Sequence, residues 1–417
     1  MKRHLMITAV ALALGGSALG LHWLHARERA QPATPAKAAA TPKPLGDPVK
    51  RGVQWLIDQQ QNNGGWGQGE ESQRIGGQGH LKDTANVADT CMATLALLRA
   101  GQTPRQGDHQ ANLRRAIDFV VREVEQSDDQ SLYITNTRGT RVQGKLGTYV
   151  DTFLAALLLS EVRNQMPDEA GRRRAAAALD KVMRKIEKNQ KNDGTWSGDG
   201  WAPVLAQGLA SKALNRAAQE GARVDEAVRE RAEKYARNQV DKRTGAVSGS
   251  VAGSAGIPLY SSAATLGAMQ DSAITNDGME KDLRRKAEAL PAASPQRRAA
   301  QSKLKEIEEN KRDLDLARKA VADRMDDPRF MAGFGSNGGE EFLSYLSIGE
   351  SLLAKGGPEW QKWDQSMTQN LNRVQNRDGS WSGHHCITGR SFCTAAALMV
   401  LTMDRAPAPL AYKVRRP

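Results

Sequence analysis

The chain has 417 residues, of which 39% are hydrophobic and 25% are charged, as is typical of a folded globular protein. Its 59 Lys and Arg residues outnumber its 47 Asp and Glu residues, which gives a net charge of +12. Much of this excess lies near the two ends, and no aromatic residues alternate with the basic ones. The charge pattern therefore argues against nucleic acid as a partner.

The first 25 residues are typical of an export signal. Lys2 and Arg3 precede an apolar run from Leu5 to Leu24. The small residues Ala18 and Gly20 suit a cleavage site, whereas a run of about 20 residues is also long enough to remain as a membrane anchor. Both alternatives stay open. We expect an exported protein of the periplasm or cell envelope.

Three further segments follow from composition and pattern. Residues 26–47 are rich in Ala, Pro and Lys and predict an extended linker. Residues 48–405 carry regular helical periodicity and predict the folded domain. Residues 406–417 form a short basic tail.

A short motif, Gln-x-x-x-Gly-x-Trp, occurs three times in the folded domain. The glycine permits a sharp turn after a helix, the tryptophan buries a large apolar face, and the glutamine amide can satisfy groups at helix ends. We therefore expect these positions to be structural. The three copies are Gln60, Gly64, Trp66; Gln190, Gly194, Trp196; and Gln375, Gly379, Trp381.

Two kinds of predicted helix alternate between and around these turns. Helices of the first kind are amphipathic, so they should face water on one side. They are predicted at Pro48–Gln61, Gln110–Glu125, Glu169–Asn189, Asp225–Gln239, within Asp282–Met325, and at Glu359–Gln375. Helices of the second kind are apolar nearly all round, so they should be buried. They are predicted at Val87–Arg99, Thr148–Val162, Ala202–Ala217, Pro258–Met269, Glu341–Leu353 and Gly389–Met403.

Six outer and six inner helices can bury the inner set by closing into a ring. The sequence therefore predicts an all-α fold of about six helical hairpins, an α/α toroid or barrel with a central cavity. The turns, and inner segments such as Ala88–Leu98, resemble those of squalene-hopene cyclases and protein prenyltransferase β-subunits. The resemblance covers roughly residues 48–405 and is strongest to uncharacterised exported bacterial members of that superfamily. It implies the toroid fold and leaves the chemistry open.

Residues 277–327 are longer and more highly charged than one outer helix requires. Pro291 and Pro295 divide the segment in two. It predicts an inserted charged helical hairpin that lies on or projects from the toroid. A solvated decoration and a docking arm for a protein partner are the two alternatives.

All inner helices should run in one direction, so their N-termini should meet at one end of the ring. Helix N-termini favour anionic or strongly polar groups. Glu340 and Glu341 begin one inner helix and are candidates for a general acid and base, although acidic residues are also common at helix starts. His384, His385 and Arg390 precede or begin the last inner helix. Arg390 can bind a carboxylate or phosphate, or pair with a nearby acid.

Ring closure should bring the first and last inner helices together. Asp89 and Cys91, with a later histidine, resemble the Asp-x-Cys and His zinc set of prenyltransferases, so Asp89, Cys91 and His384 (or His385) are candidate zinc ligands. Aligning Asp89–Ala93 with Ser391–Ala395 places Cys91 opposite Cys393.

The alternative is structural. Cys91 can form a disulfide with Cys386 or Cys393, or the cysteines can be buried thiols. We favour this structural interpretation, because residues i and i+2 of a helix point in nearly opposite directions.

The expected function is a toroid that binds a ligand (a lipid, glycan or peptide) or a protein partner at this end of the ring. The alternative is a zinc-dependent prenyltransferase-like or terpene cyclase-like enzyme acting on an isoprenoid. Only 20 residues are Phe, Tyr or Trp, few for an enzyme that guides a carbocation past aromatic faces. Whether the protein is an enzyme stays open.

Overall fold

Helices that alternate between an outer and an inner position build the fold seen in the computed structural model. The structure describes residues 42–71, 81–335 and 337–406. The predicted signal or anchor, most of the linker and nearly all of the basic tail lie outside these residues. Within them there is no β-strand, only three isolated bridges, and no helix combines the length and apolar character needed to cross a membrane.

The outer helices are amphipathic and the inner ones are buried nearly all round, as the sequence predicts. The outer helices are α1 (Asp47–Asp58), α3 (Gln110–Gln126), α6 (Glu169–Lys188), α8 (Glu226–Asn238), α10 (Pro295–Ala322) and α13 (Pro358–Arg373). The inner helices are α2 (Val87–Arg99), α5 (Val150–Val162), α7 (Val204–Gln219), α9 (Pro258–Ala289), α12 (Gly339–Lys355) and α14 (Arg390–Leu401). The short helices α4 (Arg141–Leu146) and α11 (Pro328–Met331) lie in connections.

The inner helices close into a ring. They pack in the order α2, α5, α7, α9, α12 and α14, and α14 packs back against α2. Every residue of α5 is buried, which only a helix surrounded by other elements can achieve. The predicted all-α toroid is confirmed.

The three predicted turns share one set of contacts. The Trp indole N–H donates to a carbonyl in the last turn of the preceding outer helix, over 2.8 Å in each copy, and so satisfies a group that a helix end leaves orphaned. The Gln amide donates to the carbonyl of its own turn glycine and to a carbonyl near the start of the next outer helix. The acceptors are Gly64 and Asn112, Gly194 and Val228, and Gly379 and Pro48.

A fourth turn of this kind lacks the motif and is not evident from the sequence. Gly245 has a positive φ of 74° and approaches the Leu316 carbonyl of α10 so closely that a Cβ could not fit. Gly194 meets Arg231 of α8 in the same way. The contact shows that α10 occupies a regular outer position of the ring.

The charged hairpin is therefore part of the ring and not a separate insertion. Inner helix α9 does not end near Met269 but continues to Ala289, and α10 returns from the turn to take its outer place. Pro291 and Pro295 lie at the turn, as predicted. The projecting part is a lengthening of one ring hairpin.

Charged side chains fill the ring near the C-terminal ends of the inner helices. Lys212 of α7 lies 2.7 Å from Glu350 of α12, and Arg99 of α2 lies 3.2 Å from the same carboxylate. None of these three helices are neighbours in the ring, so the groups meet inside it. Glu161 and Asp271 add further ion pairs at 3.7 and 3.1 Å. We call these five residues the ion network.

Candidate functional site

The N-termini of the inner helices gather at one end of the ring, which we call the mouth. At this end Asp151 of α5 accepts the backbone N–H of Ala88 in α2 over 3.0 Å, and so caps the first turn of its neighbour. Tyr260, at the start of α9, donates a hydrogen bond to Glu341 at the start of α12. The predicted common direction of the inner helices is confirmed by these contacts.

Two glycines shape the start of α12. Gly339 faces Ile387 and Phe392, and a Cβ there would lie 2.6 Å from the Ile387 side chain. Gly338 precedes the helix and donates its N–H to Glu341 over 2.8 Å. Because the two segments approach so closely, the loop before α14 lies directly against Glu340 and Glu341.

Glu341 is fully buried and well supplied with donors. Its carboxylate accepts from the Tyr260 hydroxyl and, over 3.1 Å, from the backbone N–H of Phe334, while His385 Nε2 lies 3.5 Å away. Burial raises the pKa of Glu341, and the neighbouring His385 acts in the opposite direction. These contacts fix the carboxylate in one orientation.

Glu340 is equally buried but has few partners. Its Oε2 accepts the backbone N–H of Ile387 over 3.1 Å, and its Oε1 has no hydrogen-bond partner among the described residues. Burial, and then the charge of Glu341, raise the pKa of Glu340 to about 8, although Lys145 acts against the rise. At neutral pH Glu340 is therefore predominantly a neutral carboxylic acid, which can donate a proton or a hydrogen bond.

The Cys386 thiol lies beside Glu340 in a strained loop. Its φ of 57° is unusual for a residue other than glycine. Burial, and then the charge of Glu340, raise the pKa of Cys386 to about 12. The group is thus a thiol rather than a thiolate, which makes it a poor nucleophile.

Aromatic rings lie next to Glu341. The ring centroid of Phe334 lies 5.0 Å from that of Trp201 and 5.2 Å from that of His385. The Trp201 ring also contacts Tyr260 edge to face, and Lys145 Nζ lies 5.5 Å from its centroid. Phe334 is 53% exposed, and among the described residues no other large hydrophobic side chain is exposed.

The candidate zinc ligands are not assembled. Among residues 42–71, 81–335 and 337–406, no three His, Cys, Asp or Glu side chains form a group that could hold a metal ion. Asp89 is buried and accepts from the Asn86 side chain over 2.8 Å. Burial raises its pKa to about 7, which weakens its value as an anionic ligand. His384 is exposed, and Cys91 is buried inside α2.

The predicted alignment of α2 with α14 is wrong by two residues. Thr90 accepts the backbone N–H of Trp66 over 3.0 Å, and Thr394 accepts that of Trp381 over 2.9 Å, so these two threonines are equivalent. Cys393 consequently corresponds to Asp89, not to Cys91. A shift of two residues turns a side chain to nearly the opposite face of a helix.

All three cysteines are buried and free. The Cys393 thiol donates to the Ile387 carbonyl over 3.4 Å. The disulfides considered from the sequence are therefore not formed, and the buried-thiol alternative describes the structure. Burial raises the pKa of both Cys91 and Cys393.

Arg390 pairs with nearby acids, which is the second of the two alternatives predicted for it. Its guanidinium pairs with Asp378 at 2.6 Å and Glu70 at 3.2 Å. Of the residues singled out from the sequence, the structure brings Glu340, Glu341 and His385 together, whereas His384 is exposed and Arg390 is held in ion pairs. The sequence does not single out Phe334, which lies in a connecting loop, or Lys145, which lies in the short connecting helix α4. An aromatic residue between two glycines, as in Gly333-Phe334-Gly335, was the available signal.

Comparison with known proteins gives one family match. The family model of the squalene-hopene cyclase C-terminal domain matches residues 36–140, a segment that contains the first Gln-x-x-x-Gly-x-Trp turn. The match supports the superfamily resemblance predicted from the sequence. None of the curated proteins matches the chain.

Similar solved structures include an α-amylase from Clostridium perfringens, which is 10% identical with a TM-score of 0.49; the overlap covers 86% of this chain and 99% of that one. The type II terpene cyclase MstE from Scytonema, without ligand, is 13% identical with a TM-score of 0.43, covering 86% and 97%. A variant of that cyclase bound to its product, merosterolic acid A, is 14% identical with a TM-score of 0.45, covering 87% and 96%.

Proposed function

We propose that this squalene-hopene cyclase-like toroid uses its mouth to bind an amphipathic ligand in the cell envelope. The ligand has an apolar body and one uncharged hydrogen-bond acceptor, such as a hydroxyl or carbonyl oxygen. The observation that carries the proposal is a buried neutral carboxylic acid, Glu340, next to Glu341, whose carboxylate accepts the backbone N–H of the exposed Phe334.

The apolar part of the ligand is inferred from the aromatic rings. A contiguous exposed apolar patch on a folded protein commonly marks a site of contact with another molecule, and the exposed Phe334 ring continues into those of Trp201 and His385. Phe334 contacts Trp201 and His385, both of which are only partly buried. A ligand that replaces water over these rings would gain about 25 cal/mol for each Å² of apolar surface it covers.

The polar part is inferred from the two glutamates. Glu341 already accepts hydrogen bonds from Tyr260, Phe334 and Gly338, so it mainly positions the loop and offers little to a ligand. Glu340 Oε1 lacks a partner, and its carboxyl is protonated at neutral pH. A buried O–H without a partner favours a neutral acceptor, since an anion would be disfavoured beside the Glu341 carboxylate.

The same acid supports a second candidate function, an acid-initiated isomerase of the terpene cyclase type. In such a reaction Glu340 would give its proton to an alkene carbon, and the resulting cation would later lose a proton to a base, so that the product is an isomer of the substrate. Trp201, Tyr260 and Phe334 would supply ring faces near the cation. A zinc-dependent transferase finds less support, because its ligand set is not assembled.

The test uses the full chain and geranylgeraniol, a neutral isoprenoid alcohol, with chitotriose as a polar counterpart. Native mass spectrometry and isothermal titration would measure binding. We expect the alcohol to bind, Phe334→Ala to weaken it at least tenfold, and Phe334→Leu to retain most of it, because leucine restores apolar contact. Affinity of the wild-type protein should fall above pH 8 as Glu340 ionises, and that of Glu340→Gln should not.

The binding proposal would be contradicted by chitotriose binding in place of the alcohol, or by equal affinities of wild type and Phe334→Ala. Gas chromatography of the extracted alcohol separates the two functions. A new isomer that appears with wild type and disappears with Glu340→Gln would establish the enzymatic alternative. Unchanged alcohol, bound by both proteins, would establish binding alone.

A further inference from the structure

The long hairpin of α9 and α10 extends beyond the ring at the end opposite the mouth. The side chain of Gln219, the last residue of α7, donates to Thr275 of α9 over 3.0 Å, so these two residues lie at one level. Helix α9 continues for 14 residues beyond Thr275, which corresponds to about 20 Å. We call residues 279–302 the arm.

The tip of the arm is strongly basic. Between Arg284 and Arg298 there are five Lys or Arg residues and one acidic residue, Glu288. Between the two helices lie Pro291, Ala292 and Ala293, which are small or apolar and exposed. A small apolar turn flanked by cations is suited to the headgroup region of an anionic lipid surface.

Internal ion pairs neutralise only part of this charge. Arg284 pairs with Glu280, and Arg285 pairs with Asp282. Arg297 and Arg298 instead donate to backbone carbonyls at the end of α9 and in the turn, over 3.1 and 2.7 Å. Carbonyls satisfy the guanidinium hydrogen bonds but carry no net charge, so the positive potential at the tip persists.

The chain also enters the toroid at this end. The backbone N–H of Lys43 donates to Asp404 over 2.7 Å, and Arg405 donates to the Lys43 carbonyl over 3.1 Å. Asp404 and Arg405 directly follow α14, and the C-terminus of α14 lies at the end of the ring opposite the mouth. The predicted signal or anchor, residues 1–25, would thus be joined to this end by the residues of the linker.

The linker is long enough for the arm to reach a bilayer. About 17 residues separate residue 25 from Lys43 and span at most about 60 Å when extended. The arm projects about 20 Å, which is less than this maximum length, so the chain connection permits its tip to touch the surface. Each basic residue near an anionic surface contributes about 1 kcal/mol to attraction.

We propose that the arm is a contact for an anionic lipid bilayer, and that it holds the toroid with its mouth turned away from the membrane. The arm tip, with its exposed turn, and the chain entry both lie on the membrane side. This inference concerns the orientation of the protein and does not depend on what the mouth binds.

The test places the full chain in nanodiscs of phosphatidylcholine, or of phosphatidylcholine and phosphatidylglycerol at 3:1. A polarity-sensitive dye is attached at Ala292→Cys on the arm or, as the control, at Asn136→Cys in an exposed loop at the mouth. The three natural cysteines are buried and should label slowly. We expect a blue shift and quenching by brominated lipid only at position 292, only with the anionic lipid, and not in 300 mM NaCl.

Charge reversal provides the matched comparison. Arg284→Glu with Arg297→Glu and Arg298→Glu should abolish the response at position 292. Three reversals on exposed turns, Lys191→Glu, Arg243→Glu and Arg377→Glu, change the net charge equally and should preserve it. The proposal would be overturned by equal signals with neutral and anionic lipid, by a response at position 136, or by no response at either position.

Discussion

The mouth and the ion network are both polar regions buried within the same ring, yet their carboxyl groups differ. At the mouth, burial raises the pKa of Glu340 to about 8, of Asp89 to about 7 and of Asp151 to about 6. In the ion network, burial also acts on Glu350, but Lys212 and Arg99 outweigh it and lower the pKa to about 2. At Asp271 of the same network, burial outweighs Lys212 and Arg216 and raises the pKa. The difference between Glu340 and Glu350 therefore lies in the two cations beside Glu350 and not in burial.

This difference separates a carboxylate that stabilises the fold, Glu350, from a carboxyl group that is available for binding or chemistry, Glu340. Glu350 joins α12 to two helices that are not its neighbours in the ring, and its partners are in place. Glu340 has an unpartnered oxygen and no cation within ion-pair distance among the described residues. A carboxyl kept neutral by its surroundings is available to a ligand, whereas a carboxylate held by two cations is not.

The largest effect is expected from breaking the ion network. Glu350→Ala leaves Lys212 and Arg99 buried with less compensating charge, and removing one partner of a buried ion pair destabilises a protein by about 3–5 kcal/mol. We expect a loss of about 4 kcal/mol in the free energy of unfolding, measured by urea denaturation.

The control for this prediction is an exposed pair. Glu169 lies 2.6 Å from Arg173, but its side chain is 74% exposed, against 7% for Glu350. Glu169→Ala should change stability by less than about 1 kcal/mol. If Glu350→Ala does not fold, Glu350→Gln keeps the shape and should still be clearly destabilised. If Glu350→Gln and the wild-type protein were equally stable, the proposed distinction between the ion network and the mouth would not hold.

The stability of the protein should depend on pH through Glu340 at the mouth, because the pKa of this group is raised and not lowered as it is for Glu350. The pKa of Glu340 is about 8 in the folded protein, chiefly through burial and then through Glu341, whereas the ordinary value is 4.5. Between these values the unfolded chain binds fewer protons than the folded one, so stability is lost as pH rises from about 4.5 to 8. Asp89 and Asp151 add to this loss at the lower part of the range.

Glu340→Gln removes one of these contributions. Relative to wild type, the variant should gain about 3 kcal/mol in stability between pH 5 and pH 8.5, since each pKa unit corresponds to about 1.4 kcal/mol and water entering the site reduces the full value. Urea denaturation at both pH values measures the gap. A gap that does not change with pH would mean that Glu340 is ionised throughout, like Glu350.

Much of the fold follows from the sequence because the two kinds of helix differ in their apolar pattern. Helix α2 occupies the predicted residues, Val87–Arg99. Helix α9 was predicted to end at Met269 but continues to Ala289. The next residues, Gln270 and Asp271, are polar and interrupt the apolar pattern, but both are buried against polar partners, Arg318 of α10 for Gln270 and Lys212 of α7 for Asp271. Buried polar contacts thus conceal this part of an inner helix from a search for apolar periodicity.

The candidate site follows from the sequence less completely. Glu340 and His385 meet because helix starts gather at one end of the ring, which the hairpin order predicts. The zinc set is not assembled, because Cys91 is buried inside α2 and His384 is exposed. The alignment of α2 with α14 was wrong by two residues, and single residues decide which side chains face each other. Lys145 lies in the short connecting helix α4 and Phe334 lies in a loop, and the positions of both segments depend on tertiary contacts, so no local pattern could place these residues at the mouth.

The smallest effect concerns the glycine turns at the mouth end. Gly194 and Gly101 both have a φ near 90°, but a Cβ at Gly194 would overlap the Arg231 carbonyl, whereas nothing lies within 4 Å of the corresponding position at Gly101. Gly101→Ala should therefore lose about 1 kcal/mol through backbone strain alone, and Gly194→Ala about 2 kcal/mol more through displacement of α8. Urea denaturation of both variants measures the difference. Equal losses would show that the turn can move away from α8 freely, so that the mouth end would be held by the inner helices and not by its turns.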